Sequence, residues 1–146
     1  MRQGRFHAGL AGLAVVGLVA LSLNAAHAEV IKYKVELNGA NEVEPPTDSA
    51  GTGVGEVSYD TETRTLTWNI TYSGLSGPAT SAHFHGPAGP GIMGKPVVTL
   101  SGDLASPLNG SAVLPFAITA WKEWYFNIDT EKWPRGEIRG QVLSVK

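Results

Sequence analysis

His83 and His85 are the only histidines after residue 28, and a single residue separates them. Their segment reads Ala79-Thr80-Ser81-Ala82-His83-Phe84-His85-Gly86-Pro87. In a β-strand alternate side chains share a face, which puts the two Cα atoms roughly 7 Å apart on one side. Two imidazoles at that spacing can converge on one metal ion. Imidazole is also the side chain most readily protonated near neutral pH. Two ligands alone hold an ion weakly, so the pair calls for a third.

No other constellation competes with this pair. Ser81 lies two residues before His83, but no sequence context activates its hydroxyl. Paired carboxylates at a defined spacing are absent. Gly94-Lys95-Pro96 lacks the Ser or Thr of a phosphate loop, which excludes that mode of nucleotide binding. The chain has no cysteine, and Met93 is its only sulfur after Met1, so a soft Cu⁺ site has no donors. Catalysis would need a bound metal, which ranks an enzyme below a binding protein.

The elements that position the pair read as β throughout. Ile31, Tyr33, Val35 and Leu37 alternate with polar residues, as do Leu66, Trp68, Ile70 and Tyr72. Residues 41–51 carry two prolines and read as a loop, and Asp60 to Thr63 as a turn. Further strands are expected near 52–59, 79–85, 96–100, 109–116, 123–129 and 136–145, with a short helical turn over 117–122. Residues 86–94, Gly-Pro-Ala-Gly-Pro-Gly-Ile-Met-Gly, form a Gly/Pro loop directly after the histidines. Seven or eight short strands with frequent turns predict an all-β fold, an antiparallel Greek-key-like sandwich or barrel. Trp68 and Trp124 sit in apolar stripes and are expected in the core. Trp121 and Trp133 are expected to pack over an open end of the sandwich; an exposed carbohydrate platform is the other reading.

The first 28 residues read as an export signal: Arg2 and Arg5, an apolar run over 8–23, then the small-x-small pattern Ala26-His27-Ala28. Cleavage there leaves one domain over 29–146, periplasmic or secreted, with no stable membrane insertion. Without Arg2 and Arg5 the chain keeps nine Lys+Arg against 13 Asp+Glu, a net charge of −4. That balance excludes a nucleic-acid surface, because no basic stripe exists to neutralise phosphates.

Three segments together resemble the chordin-type domain family, CHRD. They are Leu37-Asn38-Gly39-Ala40-Asn41-Glu42-Val43-Glu44-Pro45-Pro46, then Ser73 through Ala88, then Gly136-Glu137-Ile138-Arg139-Gly140-Gln141-Val142. Their order and spacing match the family across nearly all of residues 31–143. The resemblance implies an extracytoplasmic β-domain and supplies no settled activity. Family members commonly carry a histidine after an Asn and an apolar residue in the penultimate strand. Here that strand reads Tyr125-Phe126-Asn127-Ile128-Asp129-Thr130, so Asp129 stands at the histidine position.

His83, His85 and Asp129 are therefore the expected metal ligands. Zn²⁺ accepts this mixed nitrogen and oxygen set, as would Cu²⁺ or Fe²⁺. Glu137 is expected in the last strand, where it could orient an imidazole. Plainer roles stand beside these. The histidines could hydrogen-bond and shape the Gly/Pro loop, Asp129 could cap a turn, and Glu137 could pair with Arg139 on the surface. The leading expectation is a small exported protein that binds one divalent transition metal. A metal-free extracytoplasmic module that contacts a protein partner or matrix comes second, and a metal-dependent redox enzyme third.

Overall fold

A computed structural model describes residues 28–43 and 45–145. The export signal read at 1–28 lies, apart from Ala28, outside the described residues. The described residues contain no helix long and apolar enough to cross a membrane.

Eight strands follow in chain order: β1 (Val30–Asn38), β2 (Thr52–Asp60), β3 (Thr65–Ser73), β4 (Ala79–His85), β5 (Pro96–Thr99), β6 (Leu108–Val113), β7 (Tyr125–Thr130) and β8 (Ile138–Ser144). All pairings are antiparallel, and they join the strands into one sheet in the order β5-β4-β7-β8-β1-β2-β3-β6. The sheet rolls into a nearly closed barrel, so the all-β antiparallel expectation holds. The helical turn expected over 117–122 falls later: residues 117–120 are irregular and one 3-10 turn spans Trp121–Glu123.

The two-residue alternation fixes which side faces in. On β1 the buried residues are Tyr33, Val35 and Leu37, and on β3 they are Leu66, Trp68 and Ile70. β4 contributes Ala82 and Phe84 and β7 contributes Phe126 and Ile128, so these four side chains share one core with the β1 and β3 stripes. Phe84 contacts both Trp68 and Phe126, with ring centroids 5.4 and 4.8 Å away. Trp124 is buried as expected, and Trp121 stacks on Tyr33 at 4.2 Å, packed against the core. Because Ala82 and Phe84 point inward, Ser81, His83 and His85 must point outward.

β7 breaks the usual pattern, since all six of its residues are buried. Its outward side chains, Tyr125, Asn127 and Asp129, belong to a second layer outside the sheet. The Gly/Pro loop lies over this layer. The Arg139 Nη2 group donates to Gly89 O, the Gln141 amide to Ala88 O, and Gly94 N to the Tyr125 hydroxyl. These bonds tie the loop to β7 and β8 and shield the outer polar residues from water.

Candidate metal centre

Strand register brings the candidate residues together. β4 runs beside β7 with Ser81 opposite Asp129, His83 opposite Asn127 and His85 opposite Tyr125. His83 and His85 share the outer face, with ring centroids 5.4 Å apart. Asp129 lies diagonally across from His83, and the His83 Nδ1 to Asp129 Oδ2 distance is 3.5 Å. The side chains are 18% and 8% exposed, so the pair is sheltered without being sealed.

Asp129 is held in place from two sides. Ser81 Oγ donates a short bond of 2.5 Å to its Oδ2, and Asn127 Nδ2 donates to its Oδ1 at 2.8 Å. It caps no turn; the hydroxyl of Thr130 does that, accepting from Trp133 N. His83 Nδ1, by contrast, is buried and has no hydrogen-bond partner.

His85 sits in a different environment. Its Nδ1 lies 2.9 Å from Gly94 O, and its Nε2 lies 2.9 Å from Asn127 Oδ1. The ring therefore does shape the Gly/Pro loop. The bond from Asn127 to Asp129 fixes the amide so that its oxygen faces His85. Both neighbours of His85 are acceptors, and they favour the charged ring. Burial acts more strongly and holds its pKa below the ordinary imidazole value. A neutral ring with its proton on Nδ1 leaves the Nε2 lone pair facing the Asn127 oxygen. On its other side His85 stacks on Tyr125, with centroids 4.5 Å apart and planes within 5°. The Arg139 guanidinium covers the far face of Tyr125 at 3.4 Å.

Glu137 stands apart from this cluster. It immediately precedes β8, and its carboxylate accepts bonds from Ser49 Oγ, Ser76 N, Ser76 Oγ and Thr130 Oγ1, with none from either histidine. Burial opposes its charge, but these four donors outweigh that and hold its pKa below the ordinary carboxylate value. Glu137 and Arg139 are not a surface pair. Both are buried, and their partners differ. Glu137 joins the segments around Ser49, Ser76 and Thr130, whereas Arg139 fixes the Gly/Pro loop.

Among the described residues no three His, Cys, Asp or Glu side chains converge as a ready-made cage for an ion. His83 Nδ1 and Asp129 Oδ2 stand 3.5 Å apart, and His85 is adjacent but engaged by Asn127. Sequence reasoning passed over Ser81 and Asn127 as supports. The same two-residue spacing that pairs His83 with His85 also puts Ser81 on their face, and it puts Asn127 beside Asp129.

A rolled antiparallel sheet that carries a buried polar layer outside its core, clamped by a Gly/Pro loop, defines an all-β domain. The CHRD domain family model matches residues 33–142, and the chain belongs to that family. No curated protein and no solved structure matches it.

Proposed function

We propose that this CHRD-domain protein binds one divalent transition metal, Zn²⁺ or Cu²⁺, on the outer face of β4 and β7. His83 and Asp129 are the anchoring ligands, and His85 Nε2 joins them by leaving Asn127. One observation carries the reading: a buried, unpartnered His83 Nδ1 stands 3.5 Å from Asp129 Oδ2. Two ligand atoms, each about 2.0–2.1 Å from a tetrahedral ion, stand about 3.3 Å apart. The observed separation is closer to that value than to an N–H···O bond, whose usual range is about 2.7–3.2 Å. Ser81 and Asn127 orient the carboxylate as supporting residues around a metal do. The Gly94 carbonyl, by holding the His85 proton on Nδ1, leaves Nε2 as the donor atom.

The protein works outside the cytoplasm, in the periplasm or secreted, after removal of residues 1–28. The Ala26-His27-Ala28 pattern supports this. Its role is storage, delivery or sensing of the ion. The bonds from His85 to Gly94 and Asn127 favour a second reading, a metal-free module in which the histidine only holds the loop that a protein partner contacts.

Elemental analysis of the protein purified from its native compartment separates the two readings. The parent should carry close to one equivalent of zinc or copper, and a His83→Ala/His85→Ala variant should carry little. Equal and negligible metal in both would leave the loop-holding role.

A further inference from the structure

His85 faces two acceptors with one proton to give. Its Nδ1 lies 2.9 Å from Gly94 O, and its Nε2 lies 2.9 Å from Asn127 Oδ1. Burial disfavours the charged ring. A neutral imidazole carries a single N–H, so only one of these contacts is a hydrogen bond at a time. In the other, a ring lone pair meets an oxygen lone pair. Neither partner can turn to donate. Gly94 offers a backbone carbonyl, and the Asn127 amide is held with its nitrogen on Asp129 Oδ1 at 2.8 Å.

The two choices differ in what they hold. The Gly94 contact fastens the later half of the Gly/Pro loop to β4. The other ties of that half to the barrel are longer: Gly86 N donates to Lys95 O at 3.3 Å, Gly94 N to the Tyr125 hydroxyl at 3.2 Å, and that hydroxyl to Gly94 O at 3.4 Å. The earlier half is anchored without His85. Arg139 Nη2 donates to Gly89 O, the Gln141 amide to Ala88 O, and Ala88 N to Glu123 O. Toward the end of the loop, Ile92 and Met93 are 59% and 44% exposed.

We propose that His85 relays occupancy of the metal site to the later half of the Gly/Pro loop, a sensing role that rests on the metal binding proposed above. With Nε2 given to an ion, His85 can carry its proton only on Nδ1, and its bond to Gly94 O stays made. Metal-ligating imidazoles commonly donate their other N–H to a backbone carbonyl in this way. With the site empty, Asn127 Oδ1 competes for the same proton at an equal distance, and the loop is released for part of the time. The output is a change at the surface: Ile92 and Met93 are held in one arrangement while the ion is bound and loosened when it leaves.

Nuclear magnetic resonance of the purified, isotope-labelled protein reads both ends of the relay, while calorimetry records Zn²⁺ binding on the same sample. Without zinc, the ring nitrogen shifts of His85 should show a mixture of the two tautomers. With zinc they should show the proton on Nδ1 alone. Hydrogen exchange at the Ile92 and Gly94 amides should slow by about two- to ten-fold, the weight of one hydrogen bond. Exchange at Ala88, in the half that His85 does not hold, should stay unchanged. Asn127→Ala removes the rival acceptor, so its Gly94 amide should exchange slowly even without zinc. Four results overturn the relay: zinc binding with unchanged exchange at Gly94, a zinc-free His85 that already carries its proton only on Nδ1, equal slowing at Ala88, or a folded Asn127→Ala variant whose Gly94 exchanges like the zinc-free parent. If Asn127→Ala does not fold, the first three decide on the parent alone. Absence of zinc binding in the calorimeter overturns the metal reading itself and the relay with it, so the two failures are told apart.

Discussion

Ser81 lies directly opposite Asp129 across the β4–β7 ladder and donates a short hydrogen bond to the same carboxylate oxygen that faces His83. The carboxylate is thereby fixed before any ligand arrives, with Asn127 holding its other oxygen. A preset carboxylate beside an unpartnered imidazole nitrogen loses little freedom on binding an ion, which is how supporting residues raise metal affinity. Both supports come from strand positions two residues away from His83 or Asp129, so the geometry is a property of the sheet.

Asp129 is the most discriminating position to change. Asp129→Ala should weaken Zn²⁺ or Cu²⁺ binding by about 10–100-fold, whereas Asp129→His should preserve or strengthen it. Binding should also fall as pH drops through the imidazole range, because protons compete for the same nitrogens. Calorimetric titration at two pH values measures both effects. An Asp129→Ala variant that binds as tightly as the parent would remove the carboxylate from the ligand set.

Glu42 should make the fold sensitive to pH in the opposite sense to an ordinary carboxylate. Burial is the main cause that raises its pKa to about 7 from the usual 4.5, against the opposing pull of Arg139. A raised folded-state pKa favours the folded protein fully below the unfolded value, and that contribution is lost as pH rises through the folded value. Stability should therefore decline from about pH 4.5 to about pH 7 by an amount of order 3 kcal/mol at most. Glu42→Gln should flatten that slope. Urea midpoints across the interval measure it, and identical slopes in parent and variant would contradict the assignment.

Much of the barrel was legible in the sequence. Alternation over residues 31–37 and 65–72 identified the inward faces, since a strand in a sheet must send every second side chain to the core. Residues 109–116 read as one strand, but β6 ends at Val113, before Pro115, which has no N–H to extend a ladder. The shared face of His83 and His85 follows from their two-residue spacing on β4, whereas Asp129 was reached only through the resemblance, as the residue at the family's usual histidine position. The pairing of β4 with β7, which local pattern does not carry, puts it 3.5 Å from His83. Arg139 was not legible, because a charge in a terminal strand ordinarily reads as exposed. It is only 1% exposed, covered by Tyr125 and by a carbonyl fifty residues earlier in the chain, and local pattern carries no such long-range partner. Glu137 misled for the same reason: its four donors come from Ser49, Ser76 and Thr130, on three separate segments.

The core makes a simpler claim. Leu66 and Ile70 are both 0% exposed and belong to the single cluster that fills the barrel. Leu66→Ala or Ile70→Ala should each cost about 2–5 kcal/mol, the lost transfer energy plus the cavity left behind. Chemical denaturation followed by far-ultraviolet circular dichroism gives the values. A near-zero cost at both positions would mean that β3 faces the other way.

Gly140 tests a close approach of two strand backbones. It lies in β8 opposite Phe126, between Arg139 and Gln141. A Cβ there would stand 2.3 Å from the Glu36 carbonyl oxygen in β1, an atom of the backbone that cannot swing aside. Glycine is thus required by space, and the residue belongs to the segment from Gly136 to Val142 that also supplies Glu137 and Arg139. Gly140→Ala should push β8 away from β1 and disturb Arg139, with a cost of at least about 1–3 kcal/mol. Gly77→Ala is the matched control, since nothing lies within 4 Å of its Cβ position. That change should stay within about 0.5 kcal/mol of the parent. Urea midpoints for the two variants decide the point, and a Gly140→Ala protein as stable as the control would mean that β1 and β8 lie further apart than this barrel places them.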